Sequence, residues 1–207
     1  MSKRKKISEI IHSIKGVDKR LEKIEKAIQF RAKHNLGPAM TLEDGDSARE
    51  KKRQQILKGK KNFLKQELIN ETTRMKKVVK DYVNYLQKEV EAIGYELGDD
   101  GKIVEGTFSG DEDKQKRYRD YLMKRYHAML ALDTEISASE SITEQQLTLA
   151  NAKVKICLDN KPEFKERSFF QQLAGILTLG LRYFFSTENT AQKELATSTY
   201  LPTQRMA

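Results

Sequence analysis

The sequence has no tryptophan, one cysteine and three prolines in 207 residues. A single thiol, Cys157, excludes an internal disulfide framework and any zinc site built from cysteines alone. Few prolines and glycines, beside abundant Lys, Glu, Leu and Ile, describe long helices rather than a β-sandwich. No apolar run reaches about 18 residues, so no conventional membrane span is expected. The N-terminal MSKRKKISEI is positively charged but lacks an apolar h-region, so it does not read as a Sec-type signal peptide. Catalytic spacings are missing as well. H-E-x-x-H, C-x-x-C, G-x-S-x-G and G-x-x-x-x-G-K-S/T do not occur, and His12, His34 and His127 stand apart from one another and from Cys157. No pattern names a reaction, so no catalytic, cofactor-binding or metal-ligating residue is assigned.

What is present is helical periodicity. Ile7, Ile10, Ile14, Val17, Leu21, Ile24 and Ile28 are spaced 3-4-3-4-3-4, a heptad stripe with Lys and Glu on the other faces. Asn35-Leu36-Gly37-Pro38 stops this helix. After a loop to about Asp46, Ser47-Ala48-Arg49-Glu50 has the form of a capping box. A long second helix then runs to Gly94, with Leu57, Leu64, Leu68, Met75, Val79, Tyr82, Leu86, Val90 and Ile93 recurring at threes, fours and sevens. Its first third is very polar and contains Gly59, so it is expected to bend, fray or project.

Residues 94–113 are rich in glycine and acid. Asp99-Asp100-Gly101, between Tyr95-Leu97 and Ile103-Val104, predicts a small β-hairpin near 95–104. The acids there lack the EF-hand order and read as a solvated turn and helix N-terminal charge. A third helix should start near 109–113 and run towards Ile136. A fourth is placed from a capping box at Ser141-Ile142-Thr143-Glu144 to Asn160. Pro162 suits the first turn of a fifth helix covering 163–186. The expected fold is therefore all-α: an elongated antiparallel helical bundle over 1–186, with a long coiled-coil-like hairpin in 1–94, helices from 110 on, and a polar tail at 187–207 expected to be flexible.

Charge is uneven. Residues 1–80 carry 23 Lys+Arg against 10 Asp+Glu, a net of +13, whereas 81–207 carry −4. Two basic knots lie on the N-terminal hairpin: Lys3, Arg4, Lys5 and Lys6, then Lys51, Lys52, Arg53, Lys58, Lys60 and Lys61. Such a field attracts nucleic acid, anionic lipid or an acidic protein. Lys outnumbers Arg in both knots, which favours diffuse attraction over base reading, and Phe63 is the stacking candidate.

Residues 168–186, SFFQQLAGILTLGLRYFFS, carry Phe169, Phe170, Leu173, Ile176, Leu177, Leu181, Phe184 and Phe185 on one broad apolar face. Leu173, Ile176, Leu177 and Leu181 are expected to be buried, and Tyr183, Phe184 and Phe185 to serve apolar docking. The run RSFFQQLAGILTLGLRYFFS, followed by a polar Ser/Thr-rich tail, resembles the C-terminal regions of effectors delivered by the Dot/Icm type IVB secretion system of intracellular bacteria. That resemblance implies secretion into a host cell and action on host membranes or host proteins, without a particular activity. The expected function is a non-enzymatic helical interaction protein engaging a host membrane or host protein. The alternative is a bacterial cytoplasmic protein that binds RNA or DNA through its basic hairpin.

Overall fold

The computed structural model describes residues 5–33, 43–99, 101–106 and 113–177. These form an elongated bundle of α1 (Ile7–Lys33), α2 (Glu43–Ala92), α3 (Asp113–Ser137), α4 (Glu144–Asp159) and α5 (Arg167–Ile176). Two short strands, β1 (Tyr95–Leu97) and β2 (Ile103–Gly106), pair antiparallel between α2 and α3. The tail at 187–207 lies outside the described residues.

α2 is the spine. Its 50 residues extend about 75 Å, and it touches α1, α3, α5 and β1. It starts at Glu43, so Ser47 and Glu50 lie inside the helix and do not cap it. The helix ends before Gly94, whose φ of 92° suits glycine alone at low cost. Leu64, Leu68, Met75, Val79, Tyr82, Leu86 and Val90 are buried, the same threes, fours and sevens that the sequence displays.

α3 presents Leu122, Tyr126, Met129, Leu132 and Ile136 to this core. α4 adds Leu147, Ala150, Val154 and Cys157. Its N-cap is Thr143, two residues later than the sequence placed it: Gln146 N–H donates to Thr143 Oγ1 at 3.2 Å, and Thr143 N–H donates to Gln146 Oε1 at 3.1 Å. The shift has a physical reason. Ile142 is buried, and its N–H donates to Thr72 Oγ1 of α2 at 3.1 Å, which holds the chain in a non-helical path until Thr143. α5 is also shorter than expected. A 3-10 turn covers Phe164–Glu166, the α-helix starts at Arg167, and Leu177 is extended and fully buried. Phe170, Leu173 and Ile176 are buried, so the first half of the apolar run belongs to the core. Residues 178–186 fall outside the described residues.

α1 runs antiparallel to α2, with Lys5 beside Glu67 (3.5 Å) and Asp18 ion-paired with Lys61. Ile7, Ile10, Ile11, Val17 and Leu21 are buried, Ile14 and Ile24 half-buried, and Ile28 exposed. The heptad stripe thus outruns the body it packs on. At the strand pair, Tyr126 Oη donates to Gly101 O, and a Cβ on Gly101 would sit 3.0 Å from that hydroxyl. This pins the turn to α3.

The burial gradient along α1 sets an expected contrast. Ile10→Ala should cost about 2–5 kcal/mol, whereas Ile28→Ala should cost under about 0.5 kcal/mol. Urea unfolding followed by circular dichroism measures both; equal costs would contradict the packing of α1.

Candidate functional site: a basic arm on an ionically locked body

Beyond Leu21 in α1 and before Leu64 in α2, no described residue is buried. The distal stretches of the two helices, 22–33 and 49–63, therefore form an arm beyond the buried core, with Leu57 half-buried against its edge. Residues 49–63 carry seven Lys and Arg against the single acid Glu50. Lys51, Lys52, Arg53, Lys58 and Lys60 are exposed, and none of the five is ion-paired with another described residue.

Among the described residues, Lys5 of the first knot does not meet the exposed cations of the second. Lys5 sits beside Glu67, at the level of the body, whereas Lys51–Lys60 lie 7 to 16 residues further along α2, about 10–24 Å. Lys5 and Lys61 are committed to Glu67 and Asp18, which makes them parts of the α1–α2 seam. Lys6 is half-buried, and its N–H donates to Glu9 Oε2 at 3.2 Å at the start of α1. Lys3, Arg4, Tyr183, Phe184 and Phe185 lie outside the described residues.

Helical geometry sorts the arm further. Leu57 and Leu64 point inward, and Ile56 and Phe63, each one residue earlier, form a second stripe about 100° away. Ile56 is 62% and Phe63 67% exposed. Lys52, Arg53 and Lys60 fall three or four residues from Ile56 and share its face. The sequence held this signal in the i, i+7 repeat, but Ile56 was hidden beside the stronger Leu57 stripe.

The body contains a buried ionic cluster. Arg125 of α3 and Glu166 before α5 are each 1% exposed and pair at 3.1 Å. Arg125 Nη1 also donates to Asn160 O (2.6 Å) and Lys161 O (3.0 Å), which end α4. Glu166 Oε1 accepts the Glu163 N–H at 3.0 Å, and Oε2 accepts the Tyr82 hydroxyl of α2. Burial, reinforced by the Glu166 carboxylate, raises the Tyr82 pKa far above its ordinary value, so the phenol stays a donor. Phe169 stacks on Tyr82 at 5.0 Å and Phe170 meets it edge-on at 5.2 Å. At the margin, Tyr118 Oη donates to Glu163 Oε1 at 2.7 Å, which lowers the Glu163 pKa, and Lys165 reaches Glu89 at 2.9 Å. Both carboxylate oxygens of Glu166 face protein donors, so the chemistry of this cluster is to tie α2, α3 and the α4–α5 turn together. The sequence offered one hint: Arg125 stands in the apolar stripe between Leu122 and Met129.

Cys157 is buried against this cluster, its Sγ 3.6 Å from Arg125 O, and burial pushes its thiol up to about 12. It packs as a small hydrophobe. Among the described residues, no group of three or more His, Cys, Asp and Glu is placed to hold a metal, and no helix is long and apolar enough to cross a membrane. The chain matches no family model, no curated protein and no solved structure in the comparisons.

Two outcomes test the lock. Arg125→Met should lose about 3–5 kcal/mol by leaving Glu166 buried and unpaired, and adding Glu166→Met should recover part of that loss. A double-mutant cycle in urea reads the coupling; additive losses would refute it. Stability should also fall as pH rises from the ordinary thiol value of 9.0 towards about 12. In that window the unfolded chain releases the Cys157 proton while the folded chain keeps it, so the unfolded state binds fewer protons and gains. Cys157→Ala should flatten the slope of unfolding free energy against pH between those values, and an unchanged slope would exclude the thiol as its source.

Proposed function

We propose that this chain is a helical interaction protein whose basic arm docks on a negatively charged partner. The observation that carries the reading is the set of exposed Lys51, Lys52, Arg53, Lys58 and Lys60 on a helical stretch with no buried residue. Solvated lysines add little to stability, and like charges placed together raise the local potential that draws in an anion. The body supports this use by packing α2 from Leu64 onward, so the arm extends from it as a continuation of the same helix. The likeness of RSFFQQLAGILTLGLRYFFS and its polar tail to secreted Dot/Icm effectors supports a host partner, reached after export.

Lys51→Glu, Lys52→Glu, Lys58→Glu and Lys60→Glu together should leave unfolding free energy within about 0.5 kcal/mol of the parent. The parent should bind phosphatidylserine vesicles or single-stranded RNA at low salt and weaken steeply as salt rises. The fourfold variant should bind neither. A parent that binds no polyanion, or a variant that binds as the parent does, would refute the reading.

A further inference from the structure

We propose that the partner of the arm is an anionic lipid surface, entered by Ile56 and Phe63 between Lys52, Arg53 and Lys60. This rests on the basic arm being the docking element and adds the identity of what it meets. Charge alone would suit any polyanion, so the apolar pair decides. Ile56 and Phe63 lie one heptad apart on a single face and are the most exposed large apolar side chains among the described residues. Isolated exposed hydrophobes are ordinary on protein surfaces. Two in register, bracketed by cations on the same face, match the pattern of an interfacial helix.

Each alternative occupant meets a specific obstacle. A nucleic acid could stack on Phe63, but Ile56 has no π-face and gains nothing from a base. A second copy would bring one strongly basic 49–63 stretch against another, and like charges oppose that contact. An acidic protein would have to supply a groove cut to receive two anchors seven residues apart, and Gly59 between them has nothing within 4 Å of where its Cβ would be. A bilayer interface is deformable and takes such a face as it is. The apolar pair reaches the acyl boundary while lysine stems lie along it and their ammonium groups stay among the headgroups. From Lys52 to Phe63 the footprint is about 16 Å long, parallel to the membrane plane.

The test uses the full chain with phosphatidylcholine vesicles, phosphatidylcholine–phosphatidylserine vesicles and single-stranded poly(U), at about 0.15 M salt and at lower ionic strength. The parent should sediment with the phosphatidylserine vesicles and not with pure phosphatidylcholine. Ile56→Ser with Phe63→Ser keeps every charge and should weaken vesicle binding about tenfold or more while leaving any poly(U) binding unchanged. Because the chain lacks tryptophan, Phe63→Trp supplies a lone indole. Its emission should shift to the blue on phosphatidylserine vesicles. Vesicle binding undiminished in the double serine variant, or an unshifted indole on bound protein, would overturn the lipid assignment and leave the arm reading intact. Binding of poly(U) but not of vesicles would also overturn it, in favour of nucleic acid. Binding of neither ligand at either ionic strength would sink both.

Discussion

Arg125 and Glu166 are two charges taken almost wholly out of water, each 1% exposed, and the arrangement of the body follows from satisfying them. Stripping both of solvent costs several kcal/mol, which attraction at 3.1 Å offsets only when the remaining donors and acceptors are also met. Here most of them are met, by parts of three segments, and the buried Arg125 Nε alone of this pair has no hydrogen-bond partner among the described residues. The guanidinium takes the carbonyls of Asn160 and Lys161, and the carboxylate takes the Tyr82 hydroxyl and the Glu163 N–H. Lys161 has a φ of 48°, a left-handed conformation that a lysine adopts at a cost, and its carbonyl is one that Arg125 holds. An apolar pair of similar volume would stabilise the body as well. What the charges add is direction: hydrogen bonds at the guanidinium and carboxylate have angular preferences that an apolar contact between the ten-residue α5 and α2 lacks.

That direction matters because α2 belongs to two structures at once. From Leu64 to Val90 it is the core spine, gripped by α3 and α5, and before Leu64 it pairs only with α1 among the described elements. Ion pairs mark the junction. Lys61 with Asp18 lies near where α1 leaves the body, Lys5 with Glu67 lies at the start of α1, and Lys15 with Glu144 ties α1 to the start of α4. Surface pairs of this kind contribute little energy each. They set the axial register of α1 on α2, and so decide which lysines are consumed at the seam and which remain exposed on the arm.

The periodic elements were legible in the sequence because apolar spacing is a local code. Leu64 to Val90, Leu122 to Ile136, and Leu173, Ile176 and Leu177 are buried as their spacing implies. Three kinds of feature were not. Helix starts moved where a distant group intervened: α4 begins at Thr143 because Thr72, seventy positions away, holds the Ile142 N–H. α5 is shortened by the turn that carries Glu166 to Arg125, a partnership forty-one positions apart. The heptads of α1 gave no sign that Ile28 lacks anything to pack on, since the end of the body is a tertiary fact. On the candidate surface the basic residues were readable one by one. That Lys5 and Lys61 are spent internally required the register of two helices.

The 49–63 stretch departs from what helix stability alone would select, and it does so repeatedly within four turns. Gly59 lies inside the helix with no neighbour that a Cβ would meet, so it lowers stability by roughly 1 kcal/mol without a packing reason. Arg49 with Arg53, and Lys61 with Lys65, place like charges at i, i+4, each unfavourable by a few tenths of a kcal/mol. Ile56 and Phe63 face solvent where polar residues would serve the fold equally. The rest of the chain departs too, at Gly16 and Gly175, which likewise have nothing within 4 Å of where a Cβ would be, and at Arg125 and Glu166, where each charge meets partners inside the chain. On the arm, Lys52, Arg53 and Lys60 are exposed without an ion pair to another described residue, and Ile56 and Phe63 are exposed beside them. What sets the 49–63 face apart is that a helix-weakening glycine, like charges and two exposed apolar side chains coincide there, which suits the proposed outside partner. On the proposal above, the apolar pair and its basic flanks would call for an outside surface that is negative at its boundary and apolar within reach of two side chains.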